Sequence, residues 1–304
     1  MNVLITGGSG MVGSHLCAKL ADKGYHVTVM TRKQDTLPYP SISLEEIIHN
    51  PPFLKQFQYI IHLAGANISD KRWTDKRKKE IVESRVKPAE QLFSIVKSVE
   101  IPLKAFISAS AVGYYGTVTS NKVFEEDDAS GNDFLSHVCK KWEDAADLFS
   151  SIGARVVKIR TSVVLSDSKS ALQLMEKPVK MNLASPLGSG NQYIPWIHIE
   201  DLCNIYIKAI EDSAMVGVYN AASPAHATNK EFIKTLSGVL KKPFWNVNVP
   251  SFTLKLLFGE MSSILLKGSR ICSKKIQNTG YCFSYPTLTP ALKNLLIEQD
   301  KDDA

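Results

Sequence analysis

The sequence predicts an α/β protein of the Rossmann type, with a doubly wound parallel sheet and a smaller C-terminal substrate lobe. Three observations lead to this prediction. A glycine turn follows the first short apolar run, apolar runs alternate with helical patterns through the first half, and the pattern changes after about Ser166. Strands with apolar interiors that alternate with helices are typical of parallel sheets covered on both faces.

Each predicted element rests on its own local pattern. The apolar run 3–5 is a strand, and the amphipathic stretch after it is a helix that Gly24 closes. The run Tyr59 to Leu63 is a buried strand that leads into a long helical pattern. In chain order we predict strands at 3–5, 26–30, 59–63, 105–108, 155–160 and 216–222, and helices at about 12–23, 75–99 and 133–150.

The change of pattern divides the chain into two parts. We expect a cofactor domain over 1–165 that the strand 216–222 completes. The segments 166–215 and 223–304 form mostly the substrate or lid lobe, because 178–195 is rich in turn residues such as Pro186, Gly188 and Gly190.

Composition excludes several classes of protein. A formal charge of +6 is too small for a nucleic-acid-binding signature, and no apolar run approaches the ~20 residues of a membrane span. Five scattered cysteines without a C-x-x-C pair argue against disulfides or structural zinc. No H-x-x-x-H pattern is present and the acidic run 125–128 lies in a predicted loop, so we infer no metal site. We expect a cytoplasmic protein with a small-molecule substrate, and a homodimer stays open.

The first turn carries the strongest motif. Gly7, Gly10 and Gly13 have the spacing T-G-x-x-G-x-x-G, directly after a strand and at the start of a helix. One glycine makes the tight turn, one lets the backbone approach a pyrophosphate, and one lets helix and strand pack closely. The turn therefore predicts a dinucleotide whose phosphates meet the helix start at Met11 and Val12.

The end of the second strand predicts which dinucleotide binds. A site for NAD usually places a carboxylate about 20 residues beyond the glycines. This chain has Thr31, Arg32 and Lys33 there, and the first acidic residue after the strand is Asp35. Arg32 can donate two hydrogen bonds to a 2′-phosphate that a carboxylate would repel, which favours NADP(H). A surface arginine and lysine at a strand exit is the alternative.

The turn and the strand end at Leu63, Ala64 and Gly65 resemble those of the extended short-chain dehydrogenase/reductases. The closer resemblance is to an atypical subgroup, the epimerase family proteins, some of which are named as sugar-nucleotide epimerases or cell-division inhibitors. The residues that carry it include Arg72-Trp73, Ser84-Arg85-Val86, Ser110 to Gly116, Trp142-Glu143, Pro186 to Gly190, Trp196 to Ile199 with Asp201, Tyr219 to Ala221, Gly259-Glu260-Met261 and Tyr285-Pro286.

This resemblance implies further contacts to the cofactor. It places Leu63, Ala64, Gly65 and Ser108 at the cofactor-facing strand ends. It places Arg85 near the cofactor phosphates and Glu80 near the adenosine end. Glu80 and Arg85 are five positions apart on a predicted helix and need not face the same way.

Typical members use a serine after the fifth strand and a Y-x-x-x-K pair on the next helix, in which the tyrosine is the general acid/base. Ser110 matches that serine. The pair is missing, and Leu135 and Cys139 occupy its positions when the helix is aligned on Glu143. Tyr114 and Tyr115 follow Ser110 at the same strand end, so one of them could supply the acid; packing in a core or lid is the alternative.

Four other side chains have two interpretations each. Cys139 is a reactive thiol or a buried inert one, Asn67 a ligand contact or a turn residue, and His137 and His198 are acid/base groups or structural histidines. Two functions follow. The chain is an NADP(H)-dependent oxidoreductase or epimerase on a small substrate of the sugar-nucleotide kind, or a cofactor-binding sensor that has lost catalysis. An intact phosphate-binding turn argues against a purely structural module.

Overall fold

A computed structural model describes residues 1–32, 37–167 and 170–298. Within these residues seven strands form one sheet in the order β10-β7-β5-β4-β1-β2-β3, and every pair is parallel. The predicted Rossmann-type fold class is therefore confirmed. The strands are β1 (Asn2–Thr6), β2 (His26–Met30), β3 (Ser41–Ile42), β4 (Tyr59–His62), β5 (Ala105–Ala111), β6 (Val123–Phe124), β7 (Arg155–Thr161), β8 (Val163–Leu165), β9 (Trp196–His198), β10 (Gly217–Ala221) and β11 (Arg270–Ile271).

Helices cover the sheet, and polar caps begin several of them. The side chains of Thr74 and Asp133 cap the two long helices, and Thr228 forms a capping box with Glu231. The α-helices are α1 (Met11–Asp22), α2 (Leu44–His49), α3 (Asp75–Ser98), α4 (Phe134–Asp147), α5 (Ala171–Lys180), α6 (Ile199–Glu211), α7 (Asn229–Val239), α8 (Ser251–Phe258), α9 (Ser263–Leu266), α10 (Lys274–Gln277) and α11 (Leu288–Lys293).

Alternate residues of each strand face different cores. Ile5 and Ile107 join the core on the side of α1 and α6, whereas Leu4 and Phe106 join the core with α3 and α4. This is the two-residue period of a strand with both faces buried. The sheet therefore forms the middle layer of three.

The strand order reverses between β1 and β4. The chain runs outward from β1 to β3 on one side, and from β4 through β5 and β7 to β10 on the other. Ligands of open α/β sheets bind at the carboxyl ends of the strands where the order reverses. The glycine turn after β1 and the segment after β4 meet there.

Several elements were not predicted. The helix α6 is amphipathic and packs against α1 and β5. Two short parallel pairs, β6 with β11 and β8 with β9, lie outside the main sheet. β5 extends to Ala111 and so includes Ser110. The division into a cofactor domain and a lobe stays a prediction. No helix in the described part of the chain is long and apolar enough to cross a membrane.

The packing of the first turn generates a stability prediction. A Cβ added to Gly13 would lie 2.3 Å from the Gly7 carbonyl oxygen and 2.6 Å from Gly8 Cα, so helix and turn must separate. We expect Gly13→Ala to lower the free energy of unfolding by roughly 1–3 kcal/mol in urea denaturation. The control is Gly238→Ala on α7, where a Cβ meets nothing within 4 Å. It should be neutral or stabilise by up to about 1 kcal/mol. An equal loss in both variants would contradict the packing argument.

Candidate functional site

The turn between β1 and α1 presses against the end of β4. Gly7 has a φ of +73°, and a Cβ there would lie 2.8 Å from the backbone nitrogen of Ala64. Gly10 is the N-cap of α1 and offers no side-chain cap. The helix therefore begins with N–H groups that have no intrahelical acceptor, and they suit an anion. These are the groups of Met11, Val12 and Gly13.

An exposed cationic side chain follows the end of β2. The backbone nitrogen of Thr31 donates to the Ile42 carbonyl at 2.9 Å, which continues the pairing with β3. The next side chain, Arg32, is exposed. Lys33 lies outside the described residues. Arg32 therefore lies exposed at the end of β2, and its contact with a ribose phosphate stays a prediction.

A buried hydrogen-bond relay joins β1, β4 and α3. The backbone nitrogen of Ala64 donates to Thr6 Oγ1 at 3.2 Å, and Thr6 Oγ1 lies 2.8 Å from His62 Nδ1. His62 Nε2 lies 2.8 Å from the Arg85 carbonyl oxygen. A carbonyl only accepts, so Nε2 carries the proton and Nδ1 accepts from the threonine hydroxyl. Burial lowers the pKa of His62 to about 4.

The residues assigned to the cofactor by resemblance differ in accessibility. Arg85 is buried against the Trp142 ring, 4.9 Å from Cζ to the ring centroid, and its guanidinium packs on Gly65. Glu80 is exposed and pairs with Arg77 Nη1 at 2.8 Å. Ser108 is fully buried, and its hydroxyl donates to the Ala109 carbonyl. Ser108 could contact a ligand only after local movement, so its cofactor role stays a prediction that this geometry does not favour.

Ser110 belongs to a buried polar network. Its hydroxyl donates to Glu143 Oε1 at 2.7 Å, because even-numbered residues of β5 face α4. Arg160 on β7 holds the same carboxylate through Nε at 2.8 Å and Nη2 at 3.0 Å. All three side chains are nearly inaccessible to solvent. The bidentate ion pair between Arg160 and Glu143 compensates both buried charges. The Ser110 hydroxyl is thus already hydrogen-bonded to a protein side chain.

The two candidate tyrosines have different environments. The Tyr115 hydroxyl donates to Asn220 Oδ1 at 2.7 Å and accepts from Arg160 Nη1 at 3.0 Å, and only 2% of the residue is exposed. Burial raises the pKa of Tyr115 to about 12. The Tyr114 ring stacks on Arg160, with its centroid 3.3 Å from Cζ. Among the described residues no hydrogen bond engages the Tyr114 hydroxyl, so Tyr114 is the more available proton donor.

The face of α4 toward this loop lacks an acid/base pair. A Cβ on Gly113 would lie 3.3 Å from Leu135 Cβ and 3.7 Å from Cys139 Sγ, so both side chains face the segment after Ser110. Burial raises the pKa of the Cys139 thiol to about 12, and the thiol therefore stays protonated. This geometry matches the interpretation of Cys139 as a buried inert thiol.

The remaining candidate side chains are those of His198, His137 and Asn67. His198 accepts from the Glu200 backbone nitrogen as the N-cap of α6, and burial lowers its pKa to about 4. His137 is exposed on α4. Asn67 Oδ1 accepts from the backbone and hydroxyl of Ser69, as a turn residue does. No group of three or more His, Cys, Asp or Glu side chains suited to a metal ion occurs in residues 1–32, 37–167 and 170–298.

A small depression is lined by the segments that precede β9, follow β10 and contain β11, and it has no room for a water molecule. Ala222 and Ile271 line the depression and also belong to the apolar cluster against which Tyr114 packs. The Tyr193 and His226 rings in its lining lie 6.4 Å apart. The depression is therefore a packing gap and not a ligand-sized cavity.

Sequence reasoning missed the centre of the polar network. The sequence names Glu143 and Asn220 only as members of motifs and Arg160 only as the end of a strand. A charged residue inside an otherwise apolar strand was the available signal, since a buried arginine requires an acidic partner. The partner itself could not be read from the sequence, because Glu143 is 17 residues away on another element.

The fold and this edge of the sheet define a protein of the extended short-chain dehydrogenase/reductase type, with the glycine turn of a dinucleotide site and without the Y-x-x-x-K pair. The family model described as "NAD dependent epimerase/dehydratase family" matches residues 3–222, and one described as "Domain of unknown function (DUF1731)" matches residues 249–295. The chain belongs to the NAD dependent epimerase/dehydratase family. The resemblance to the epimerase family proteins is thereby confirmed.

Similar proteins cover nearly the whole chain. "Epimerase family protein YfhF" of Bacillus subtilis is 35% identical over 98% of this chain and 99% of its own length. The crystal structure titled human epimerase family protein SDR39U1 (isoform 2) with NADPH is 33% identical, with a TM-score of 0.88 over 97% of this chain and 99% of that one. A nucleoside-diphosphate sugar epimerase from Corynebacterium glutamicum is 28% identical, with a TM-score of 0.79 over 100% of this chain and 61% of that one.

The buried relay generates a pH prediction. Because the pKa of His62 falls from 6.5 to about 4 on folding, the unfolded chain binds a proton between these values and the folded chain does not. The stabilisation is complete above pH 6.5 and is lost as the pH falls toward 4, by roughly 3 kcal/mol for this group.

We therefore expect His62→Gln to flatten the decline of unfolding free energy between pH 6.5 and 4, measured by urea denaturation at each pH. His198 adds to the same decline, so the difference between variant and wild type is the quantity to compare. His26→Gln, at an exposed position of β2, controls for loss of a histidine. An unchanged slope in His62→Gln would contradict the assignment.

Proposed function

We propose that this chain binds NADP(H) and acts as an atypical oxidoreductase or epimerase on a small substrate of the sugar-nucleotide kind. The observation that carries the cofactor assignment is the uncapped start of α1 together with the exposed Arg32 at the end of β2. The backbone N–H groups suit a pyrophosphate, and the guanidinium suits a 2′-phosphate. The similar human protein crystallised with NADPH supports the same assignment.

The chain's own residues would hold the substrate and move the proton. The nicotinamide, when bound, supplies or accepts a hydride. Tyr114 is the proposed proton donor or acceptor, since its hydroxyl has no protein partner in the described structure and its ring is fixed on the Arg160 guanidinium. Ser110 would act indirectly, by orienting Glu143 and through it Arg160.

The proposed substrate site is the carboxyl edge of the sheet next to Tyr114, where ligands of open α/β sheets bind. The similar protein named a nucleoside-diphosphate sugar epimerase supports this substrate class.

One observation favours a second function. The hydroxyls of Ser110 and Tyr115 are both engaged by protein side chains, so two of the three candidate catalytic groups are occupied. A cofactor-binding sensor would need the dinucleotide turn without a working acid. Tight NADPH binding with no turnover of any sugar nucleotide or small carbonyl compound would favour the sensor over the enzyme.

Arg32 tests the cofactor assignment. We expect wild type to bind NADPH more tightly than NADH in titration calorimetry. Arg32→Ala should weaken NADPH binding about 10- to 100-fold and leave NADH binding unchanged, because only the 2′-phosphate contact is lost. Lys104→Ala removes an exposed charge just before β5, at the opposite edge of the sheet, and should change neither affinity. Equal wild-type affinity for both cofactors would rule out the assignment.

The two tyrosines test the catalytic assignment. In a screen of sugar nucleotides and small carbonyl compounds with NADPH, Tyr114→Phe should lower turnover of any substrate found by about 10²- to 10⁴-fold. Its NADPH affinity and stability should stay near those of wild type. Tyr115→Phe should instead lower the free energy of unfolding by about 1–3 kcal/mol, since Asn220 and Arg160 lose a buried partner. Unchanged turnover in Tyr114→Phe would remove Tyr114 from the mechanism.

A further inference from the structure

The segment after β4 contacts the C-terminal part of the chain across the carboxyl edge of the sheet. Arg72 Nη2 donates to the carbonyl oxygens of Leu256 and Leu257, at 2.8 and 2.7 Å. Lys78 Nζ pairs with Glu260 at 2.7 Å. We call residues 66–74 the strap and these two interactions the closure contacts. They join parts of the chain about 180 residues apart.

The Arg72 contact has a clear electrostatic basis. Leu256 and Leu257 lie in the last turn of α8, where carbonyls lack intrahelical partners and the helix dipole is negative. The guanidinium bonds both carbonyls at once and so acts as a C-terminal cap from a distant segment. The helix ends at Phe258, and its C-cap Gly259 has a φ of +59°.

Contacts within the strap and with α3 and α4 hold it in place. Trp73 Nε1 donates to the Ile68 carbonyl at 2.9 Å, and the Trp73 ring packs edge-on against Phe134 with centroids 4.9 Å apart. Arg77 donates to the Asn67 carbonyl. The strap is therefore a folded loop fixed to α3 and α4, and it presents Arg72 to the C-terminal segment.

The position of the strap links it to the cofactor edge. It begins directly after Gly65, at the end of β4, and β4 adjoins β1 with its dinucleotide turn. The closure contacts tie the strap and the first turns of α3 to the segment 251–262.

We propose that Arg72 and Lys78 form a latch that closes the segment 251–262 over the bound dinucleotide, and that the latch opens for cofactor release. This inference rests on the proposed NADP(H) function. Arg72 and Glu260 are exposed and Lys78 is half-buried, so water competes for each contact. Exposed contacts of this kind are weak singly, which suits a closure that must open repeatedly.

The first test is the rate of NADPH dissociation, measured by stopped-flow fluorescence with excess non-fluorescent NADP⁺ as the chase. Arg72→Ala should release NADPH about 5- to 10-fold faster, and Lys78→Glu about 2- to 5-fold faster. The charge exchange Lys78→Glu with Glu260→Lys should return the rate to within about 2-fold of wild type. Lys76→Ala, an exposed position on the same helix, is the matched control and should leave the rate unchanged.

The second test uses the protein without cofactor and separates the two proposals. In amide hydrogen exchange, Arg72→Ala should speed exchange in residues 251–262, while exchange in α1 stays as in wild type. If wild type does not bind NADPH, the proposed function fails, and this exchange result still decides whether the closure contacts hold the segment. Unchanged exchange, or unchanged NADPH release in Arg72→Ala, would overturn the latch.

Discussion

The close contact between the first turn and the end of β4 determines how the backbone segments of the cofactor edge are positioned. A Cβ at Gly7 would lie within 2.9 Å of backbone atoms of Leu63 and Ala64, so the turn and the neighbouring strand end leave no space for a side chain. Thr6 and His62 join the same backbone segments by hydrogen bonds and continue to the carbonyl of Arg85 on α3. The turn, the strand end and the long helix are therefore positioned together.

A second buried constraint lies at the end of β5. The Glu143 and Arg160 pair bonds Ser110 on one side and Tyr115 with Asn220 on the other. Such a pair is tolerated inside a protein because every charge has good partners. The network connects β5, α4, β7 and β10, and it leaves the Tyr114 ring stacked on the guanidinium with no hydrogen bond to its hydroxyl among the described residues.

The buried hydrogen bonds of the sheet edge and the closure contacts differ in their exposure to water. The relay around His62 and the network around Arg160 are buried, so breaking either would leave buried polar groups without hydrogen-bond partners. The contacts of Arg72 and Lys78 are accessible to water and can break at little cost. This difference in exposure is what the proposed latch depends on, since exposed contacts can open while the buried relay and network stay intact.

The sequence by itself determined the features that depend on local pattern. Six of the seven strands of the main sheet, the glycine turn, the position of Arg32 and the absence of a Y-x-x-x-K pair were predictable, because turn geometry and burial period leave direct marks in the residue order. The short strand β3 and the pairs of β6 with β11 and β8 with β9 were not. Strands of two or three residues exist only where a partner meets them.

Only the tertiary structure decided which side chains meet. It directed Ser110 toward Glu143 and buried Tyr115 between Asn220 and Arg160. It also stacked the Tyr114 ring on Arg160 and left the Tyr114 hydroxyl without a hydrogen bond among the described residues. It also brought Arg72 to the end of α8. These contacts join residues 33 to 184 positions apart. Their partners are set by how helices pack on the sheet, and that packing is a property of the whole chain which no local pattern records.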